Sequence, residues 1–311
     1  MLYKHLSYNI KNIVNNIKSK NVLLAISGGL DSTFLMHVLL LHGIKPNLFF
    51  VNYNSTSNSN KRKKFIESLS KKYKLKFTSI DIDLTSSNFE SKARAIRYKL
   101  LNEYADKNNI KLILTAHHKD DQLETLYMKY EDKADWVSFL GIRFQYNKVL
   151  RPMLHIEKKE ISDFVKEFKI KWIEDSTNED LSIRRNNIRL KVLPMIRKNN
   201  PILIEELYSK FETSNKKMKL FNNSLTSYTK DYLKCFHNDY FIIMNKFIES
   251  NDIICFKLFY QHLFNKYMNL QVQCSGKHWQ AFFDFIKSAS VGSVFALDKF
   301  ISIIRDREFH Y

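Results

Sequence analysis

Residues 27–32 read SGGLDS and lie between the apolar run NVLLAI and the apolar stretch TFLMHVLLLHG. The chain of 311 residues contains only 6 glycines, and two of them are adjacent in this segment. Glycine adopts positive φ and lets the backbone approach a ligand closely. A glycine pair between a strand and a helix therefore predicts a loop that exposes amide N–H groups to an anion.

Strand-like and helix-like segments alternate from residue 21 to about residue 118. This alternation predicts right-handed βαβ units, and hence an α/β fold with a parallel sheet covered by helices on both faces. The segment SGGLDS and a second polar segment, AHHKDDQLETLYM at residues 116–128, each follow a strand-like run. Ligands bind at the carboxyl ends of parallel strands, so we expect both segments to border one crevice.

The remainder of the chain predicts a second, smaller α+β domain. The segment VLRPMLHIEKKEISDFVKEFKIKWIEDSTNED is typical of a loop, a helix and a short strand, and the segment RRNNIRLKVLPMIRKNN is typical of a basic helix. The pattern at residues 201 to about 235 predicts a polar connecting helix. Further helices and a terminal hairpin are predicted after it. We therefore expect domains at residues 1–215 and 216–311.

The charge of the chain favours a polyanionic partner. Its 50 Lys and Arg residues against 32 Asp and Glu residues give a net charge of +18, which attracts nucleic acid along a surface. AT-rich codons, which favour Lys, Asn, Ile and Phe, would also raise the basicity without selection for binding. The charge alone therefore leaves both explanations open.

Cysteine content and hydropathy argue against other classes of protein. The three cysteines are far apart and form no CxxC pair, so neither a disulfide framework nor a zinc site is indicated. The sequence has no run of 18 uncharged apolar residues and no signal-peptide pattern at its start. These features predict a cytoplasmic protein without a membrane partner, and they leave open whether it forms a homodimer.

The loop at residues 27–32 lacks the lysine that follows the glycines of a Walker A loop. It resembles the pyrophosphate loop (PP-loop) of ATP pyrophosphatases, which implies that ATP is split to AMP and pyrophosphate. Amides, hydroxyls and the positive helix end would bind the phosphates, and Mg²⁺ would separate them from Asp31. The alternative is a tight turn in which Ser32 caps the helix. The predicted ATP-binding residues are Ser27, Gly28, Gly29, Leu30, Asp31 and Ser32.

The segment at residues 116–128 places His117 directly before a predicted helix and Asp121 and Glu124 on one face of that helix. The alternative is structural, because Asp121 with Glu124 also matches a capping box. Two adjacent histidines and two adjacent aspartates exceed what capping requires. The pattern therefore favours a functional role.

Six segments in order resemble those of the tRNA(Ile)-lysidine synthetases, over residues 20 to about 200: SGGLDS, ESKARAIRY, HHKDDQLET, RPML, WIEDSTN and RRNNIRLKVLP. The C-terminal portion resembles the first C-terminal domain of this family. The resemblance implies that ATP, with Mg²⁺, adenylates the first anticodon cytidine of tRNA(Ile) with a CAU anticodon, and that free L-lysine then displaces AMP. The modified tRNA would decode AUA instead of AUG, and its amino-acid identity would change from methionine to isoleucine.

The resemblance also implies roles for individual residues. Asp121 and Glu124 would bind the lysine ammonium, and Arg97, with Arg94 as a second candidate, would face the α phosphate. The alternative for Arg94 and Arg97 is that they face the solvent on their helix. The implied catalytic residues are Asp31, Arg97, His117, Asp121, Glu124 and Arg189. Residues 216–311 would contact the tRNA, together with Arg184, Arg185, Asn186 and Arg189. For these arginines, plain phosphate contact is the alternative to a catalytic role.

One departure from the family is the segment KYEDKADWVSFLGI, residues 129–142, where the family usually has an Arg-Gly-rich loop. Two other functions stay open: a tRNA cytidine 2-thiolase, and a non-catalytic RNA-binding protein on the same fold. Thiolases typically need cysteines, and all three cysteines here lie beyond residue 234. A non-catalytic scaffold would not need Ser27, Asp31, Asp121 and Glu124 together.

Overall fold

The computed structural model divides the chain into two compact units, Met1–Phe211 and Glu212–Tyr311. Each unit has its own hydrophobic core. The division falls after Phe211, four residues before the boundary predicted after residue 215. The structure describes residues 8–53, 59–82, 89–174, 176–237, 240–270, 272, 274–299 and 301–311.

The first unit is built from alternating strands and helices. Its strands are β1 (Val22–Ala25), β2 (Asn47–Asn52), β3 (Phe77–Asp81), β4 (Leu112–Leu114), β5 (Gln145–Tyr146) and β6 (Val149–Leu150). Its first helices are α1 (Tyr8–Asn12), α2 (Leu30–Leu41), α3 (Ser59–Tyr73), α4 (Phe89–Lys107), α5 (Lys119–Glu131) and α6 (Lys158–Glu167). In the described ranges, no helix is both long enough and apolar enough to cross a membrane.

The six strands form one sheet in the order β3-β2-β1-β4-β6-β5. All pairs are parallel except β5 with β6. From β1 the chain first adds β2 and β3 on one side, and then places β4 on the other side. Ligands bind at such a switch point in an open parallel sheet. The segments that follow β1 and β4 lie there, and the predicted α/β fold is confirmed.

Helices cover both faces of this sheet. Leu24 of β1 packs with Phe34 of α2 and Phe164 of α6 in one core, while Leu23 packs with Leu101 of α4 in another. This alternation follows from the period of two along a strand. Helix α2 is apolar on nearly all sides, which suits a helix that is buried in the layer.

Two parts of the segment after α5 differ from the prediction. Val149–Leu150 was expected in a loop but forms β6, a strand too short to leave a periodic pattern. The prediction of a short strand after α6 is wrong, because residues 171–174 form no regular element. A backbone hydrogen bond joins this segment to the loop after β1: the N–H of Ile173 donates to the carbonyl of Gly28 at 3.0 Å.

The predicted basic helix is divided into three parts. It comprises α7 (Arg184–Asn187), a π-helical turn (Ile188–Val192) and α8 (Leu193–Asn199). A long helix, α9 (Pro201–Tyr232), follows and contains the division between the two units. Because π-helical turns are rare and occur mostly at functional sites, this segment is a candidate for a functional role.

The second unit has an aromatic core enclosed by short strands and helices. Its core includes Tyr260, Trp279 and Phe282, all buried. The elements are β7 (Leu233–His237), β8 (Tyr240–Met244), α10 (Lys246–Glu249), α11 (Ile253–Met268), α12 (Gly276–Ser288), β9 (Val294–Ala296), β10 (Ser302–Ile304) and β11 (Phe309–His310). Strands β9 and β10 form the predicted terminal hairpin.

His310 is buried in this core with an incomplete set of partners. Its Nδ1 lies 2.7 Å from Oδ1 of Asn245, and its ring stacks on Tyr260 with centroids 5.7 Å apart. Its Nε2 has no hydrogen-bond partner among the described residues. Burial lowers the pKa of His310 to about 3, because an imidazolium here would lose its hydration.

Acidification is therefore expected to destabilise the second unit. The pKa of His310 in the folded protein lies below its unfolded value of 6.5, so the unfolded state binds the proton first as the pH falls. Stability should be unaffected above pH 6.5 and should fall below it, by up to about 1.4 kcal/mol per pH unit from this residue. Urea denaturation of wild type and His310→Gln between pH 7 and pH 4.5 measures this slope.

The control is His262→Gln, which removes a half-buried histidine from the same unit. It should change the slope less than His310→Gln does. Equal slopes for wild type and His310→Gln would show that the buried imidazole does not carry the effect.

Candidate functional site

The loop between β1 and α2 is ordered by its own hydroxyl groups. The Oγ of Ser32 accepts from the backbone N–H of Ser27 at 3.1 Å and donates to the carbonyl of Gly29 at 3.2 Å. The Oγ of Ser27 accepts from the N–H of Gly29 at 3.3 Å. Gly28 has φ of +78°, a conformation that side chains rarely adopt. The loop is thus shaped before a ligand arrives.

Helix α2 begins at Leu30, with Gly29 as its N-cap. The alternative that Ser32 caps the helix is wrong, because Ser32 lies inside the first turn. The first N–H groups of a helix have no partner within the helix, and the helix dipole makes that end positive. The start of α2 therefore presents the donors that an anion needs.

The start of α5 lies beside this loop. His118 is the N-cap of α5, and its backbone N–H donates to Oδ2 of Asp121 at 2.9 Å. Its side chain is 4% exposed, with Nε2 at 3.8 Å from Oδ2 of Asp31 and 3.4 Å from Oδ2 of Asp121. His118 thus connects the two polar segments. The alternative of a capping box formed by Asp121 with Glu124 is wrong, because the capping box of α5 is formed by His118 and Asp121.

Asp121 and Glu124 instead belong to an ion cluster with Arg185 and Arg189. Nε of Arg185 lies 2.7 Å from Oε2 of Glu124, and Nε of Arg189 lies 2.6 Å from Oε1 of the same carboxylate. Nη2 of Arg189 also donates to Oδ1 of Asp121 at 3.1 Å. The Glu124 side chain is 0% exposed, against 26% and 36% for the two arginines. The buried carboxylates are thus neutralised from the solvent side.

The ion cluster shifts the pKa values of its members. Burial raises the pKa of the Asp121 carboxyl, but the neighbouring His118 and Arg185, together with the hydrogen bond from the His118 backbone N–H, overcome this and lower it below its usual range. Burial lowers the pKa of Arg189, but its bonds to Glu124 outweigh burial and raise that pKa. Both shifts favour the charged forms at neutral pH.

A cavity of about 900 Å³ borders the ion cluster on one side of α5. Met128 and Ile142 form part of its apolar wall. Its lining includes one histidine and five basic residues: His117, Arg94, Lys129, Arg143, Arg151 and Arg185. A cavity with this excess of cations suits a ligand that carries phosphate groups and an apolar ring.

His117 faces this cavity as a neutral imidazole. Its Nδ1 lies 3.0 Å from Oγ1 of Thr115. Burial lowers the pKa of His117 to about 3, Asp121 opposes this shift, and Arg151 and Arg94 add to it. Anions that neutralise the arginines would raise the basicity of His117, because they remove the cations that disfavour its protonated form.

The structure separates the two arginines predicted on α4. Arg94 lines the cavity, with its guanidinium 5.2 Å from the Tyr98 ring centroid. Arg97 lies on the same helix and is exposed, as Arg94 is, but it is not among the described residues that line the cavity. Helical spacing alone could not distinguish them, because residues three apart lie on adjacent faces.

The four residues predicted to contact tRNA occupy different environments. Arg185 and Arg189 belong to the ion cluster, and Arg185 also lines the cavity. Arg184 lies on the surface, paired with Glu131 at 3.0 Å. Asn186 is buried, and its Nδ2 donates to the carbonyl of Asp180 at 3.0 Å. Arg184 is the most accessible of the four.

Gln122 holds the segment at residues 129–142 against α5. Its Oε1 accepts from the N–H of Ile142 at 2.7 Å. Gly141 has φ of +59°, and a Cβ there would lie 2.4 Å from Nε2 of Gln122. This glycine therefore permits both the turn and the close contact. The turn brings Arg143, one residue beyond the segment, to the cavity.

Three residues at this edge of the sheet could not be identified as site residues from the amino-acid sequence. His118 joins the two loops, Arg151 is a buried cation of the cavity, and Lys158 contacts Oδ1 of Asp31 through its ammonium. Arg151 lies in the quoted segment RPML, but only the fold shows its position. Lys158 lies at the start of α6, and no motif in the neighbouring sequence indicates that it contacts Asp31.

Asp31 was predicted to bind Mg²⁺. Among the described residues, no group of three or more His, Cys, Asp or Glu side chains could hold a metal ion. Nucleotide sites usually bind Mg²⁺ through one or two carboxylates and the substrate phosphates. Asp31 offers one carboxylate whose Oδ2 is not bonded to Lys158. The residues therefore fit a Mg²⁺ ion that the phosphates of ATP also ligate.

The switch-point loop, the helix N-terminus and the cationic cavity define a nucleotide-binding α/β unit. The PP-loop domain family matches residues 2–196, and the chain belongs to this family. ATP binding follows from membership of this ATP-using family.

Two curated relatives are named tRNA(Ile)-lysidine synthase. That of Aster yellows witches'-broom phytoplasma is 31% identical over 199 residues, which cover 63% of this chain and 46% of the relative. That of Mesoplasma florum is 32% identical over 244 residues, which cover 74% of this chain and 57% of the relative. The chain spans about half the length of the curated relatives that it matches.

A solved structure also shares the fold. The U34-tRNA thiolase NcsA from Methanococcus maripaludis, determined with its 4Fe-4S cluster, aligns with a TM-score of 0.55 at 15% identity. The alignment covers 68% of this chain and 78% of the thiolase. At this identity the likeness shows the fold alone.

Loss of the Glu124 charge is expected to destabilise the first unit. Glu124→Gln would leave Arg185 and Arg189 beside a neutral amide, and removing one partner of a buried ion pair costs about 3 kcal/mol or more. The matched control is Glu131→Gln on the same helix, whose exposed pair with Arg184 should contribute at most about 1 kcal/mol. Urea denaturation measures the free energy of unfolding of both variants. An equal loss of stability in the two variants would contradict a stabilising role for the ion cluster.

Proposed function

We propose that this protein is a tRNA(Ile)-lysidine synthetase: it ligates free L-lysine to carbon 2 of the first anticodon cytidine of tRNA(Ile) with a CAU anticodon, using ATP. One observation carries the proposal. The PP-loop, the neutral imidazole of His117 and a pair of buried carboxylates lie at one switch point, where the side chain of His118 is within 4 Å of both Asp31 and Asp121. The names of the curated relatives support it.

The first step uses the PP-loop and the cavity. The β and γ phosphates of ATP would bind residues 27–32 and the start of α2. The cytidine 2-oxo oxygen attacks the α phosphorus, and the bond to the bridging oxygen breaks to release pyrophosphate. Guanidinium groups would stabilise the charge on the α phosphate. We assign this role to Arg94 rather than Arg97, because Arg94 lines the cavity.

Mg²⁺ is proposed to accompany ATP. Oδ2 of Asp31 is the protein oxygen that would hold it. The ion supplies positive charge to the phosphate oxygens.

The second step needs lysine with a free ε-amine. Asp121 and Glu124 would bind the incoming ammonium, in competition with Arg185 and Arg189, which pair with them in this structure. Neutral His117 would accept a proton from the ammonium once bound phosphates offset the neighbouring arginines. The amine then attacks carbon 2, and AMP departs with the former 2-oxo oxygen.

The distribution of charge suits an RNA substrate. Residues 212–311 carry 13 Lys and Arg and 9 Asp and Glu, so most of the net charge of +18 lies in the first unit. We propose that the first unit supplies most of the electrostatic attraction to tRNA. Arg184 and the C-terminal region, residues 216–311, would add contacts that position the substrate.

Two alternatives differ in the products that they predict. A tRNA cytidine 2-thiolase would add sulfur, but residues 1–211 contain no cysteine. A non-catalytic RNA-binding protein would have no need of a buried acidic pair beside the PP-loop, since burying carboxylates is costly. Lysine transfer accounts for these carboxylates.

The function is tested with a CAU-anticodon tRNA(Ile) transcript, ATP, Mg²⁺ and isotopically labelled lysine. We expect a modified cytidine that carries the label, and AMP and pyrophosphate in equal amounts. Mass spectrometry of the digested nucleosides measures the product. A transcript with uridine at the first anticodon position is the control and should give none. Pyrophosphate release without labelled nucleoside would contradict lysine transfer, and RNA binding without AMP would favour the scaffold.

The lysine pocket is tested with Asp121→Asn, which keeps the shape and the acceptor for the His118 N–H. Loss of one charged hydrogen bond should raise the KM for lysine by roughly tenfold to a hundredfold. Lysine-independent adenylation should change less, and adenylated tRNA should accumulate. The control is Asp132→Asn, in an exposed pair with Arg184. An unchanged KM for lysine in Asp121→Asn would remove Asp121 from the pocket.

A further inference from the structure

The PP-loop carries a negative charge where a polyphosphate is to bind. Asp31 lies in the first turn of α2, directly beside the loop amides. A carboxylate at this position repels phosphate unless a cation lies between them. A Walker A loop avoids the problem with its own lysine, and residues 27–32 contain none.

The start of α6 supplies a cation at this point. The ammonium of Lys158 contacts Oδ1 of Asp31. The two side chains are 41% and 31% exposed, so the ion pair faces the solvent side of the loop rather than the core. A lysine ammonium has three donors, and it can keep one bond to Asp31 while it donates others to a phosphate oxygen.

The backbone at Lys158 is held firmly beside the loop. Its N–H donates to Oδ2 of Asp120 at 2.9 Å, which ties the start of α6 to α5. Helix α6 also packs on α2 through Phe164 and Phe34, whose ring centroids are 4.9 Å apart. The attachment point of the side chain is therefore fixed relative to α2, while the ammonium itself remains accessible.

We propose that Lys158 is the phosphate-binding lysine of this site, which contacts the β or γ phosphate of ATP. Asp31 orients the ammonium before the nucleotide binds. The neighbouring Lys159 is exposed and makes no comparable contact with Asp31. The inference rests on the ATP-dependent step of the proposed function and adds a residue to it.

The test compares the binding of ATP, inorganic pyrophosphate and AMP, measured by calorimetry in EDTA so that Mg²⁺ does not contribute. Lys158→Met and Lys158→Gln should weaken ATP and pyrophosphate binding by roughly tenfold to a hundredfold, the effect of one charged hydrogen bond. AMP lacks the β and γ phosphates, so its affinity should change by less than about threefold. Lys158→Arg should retain most of the affinity, and the matched control Lys159→Met should equal wild type.

The outcomes separate this inference from the proposed function. If wild type binds ATP and forms labelled nucleoside, but both uncharged variants bind pyrophosphate equally well, only the role of Lys158 is overturned. An equal loss of AMP and pyrophosphate affinity would also overturn it, because the effect would then be structural. If wild type binds neither ATP nor pyrophosphate, both proposals fail.

Discussion

The parallel pairing of β1 with β4 is the constraint on which the site depends. Because parallel strands end at the same edge of a sheet, this pairing places the loop at residues 27–32 beside the start of α5, about ninety residues later in the chain. The 3.8 Å distance between His118 and Asp31 is a direct result. The sheet therefore determines which polar groups meet, and the loops determine their chemistry.

The ion cluster adds a second constraint, because a fully buried carboxylate requires compensation. Glu124 obtains it from Arg185 and Arg189, which lie on a segment more than sixty residues away. Arg185 also lines the cavity, so a buried acid orients a cation that a phosphate group can contact. The π-helical turn that contains Arg189 provides a backbone irregularity at this contact.

Features of the site could be predicted from the sequence where a local pattern has a direct physical cause. The adjacent glycines indicated a loop with positive φ, and Gly28 adopts it. Asp121 and Glu124 were expected on one helical face, and Arg189 contacts both. Short or isolated features could not be predicted in this way. The two residues of β6 are too few to show a strand period. The choice between Arg94 and Arg97 depends on which face of α4 turns toward the cavity.

The sequence by itself determined the alternation of strands and helices, the anion-binding loop, the acidic pair and the family resemblance, because each is written in residues that are close together in the chain. Only the tertiary structure decided that Lys158 lies on Asp31, that Arg151 is a buried cation of the cavity and that Arg185 and Arg189 neutralise Glu124. These contacts join residues separated by tens of positions. Their geometry depends on strand order and helix packing, and neither leaves a periodic trace in the amino-acid sequence.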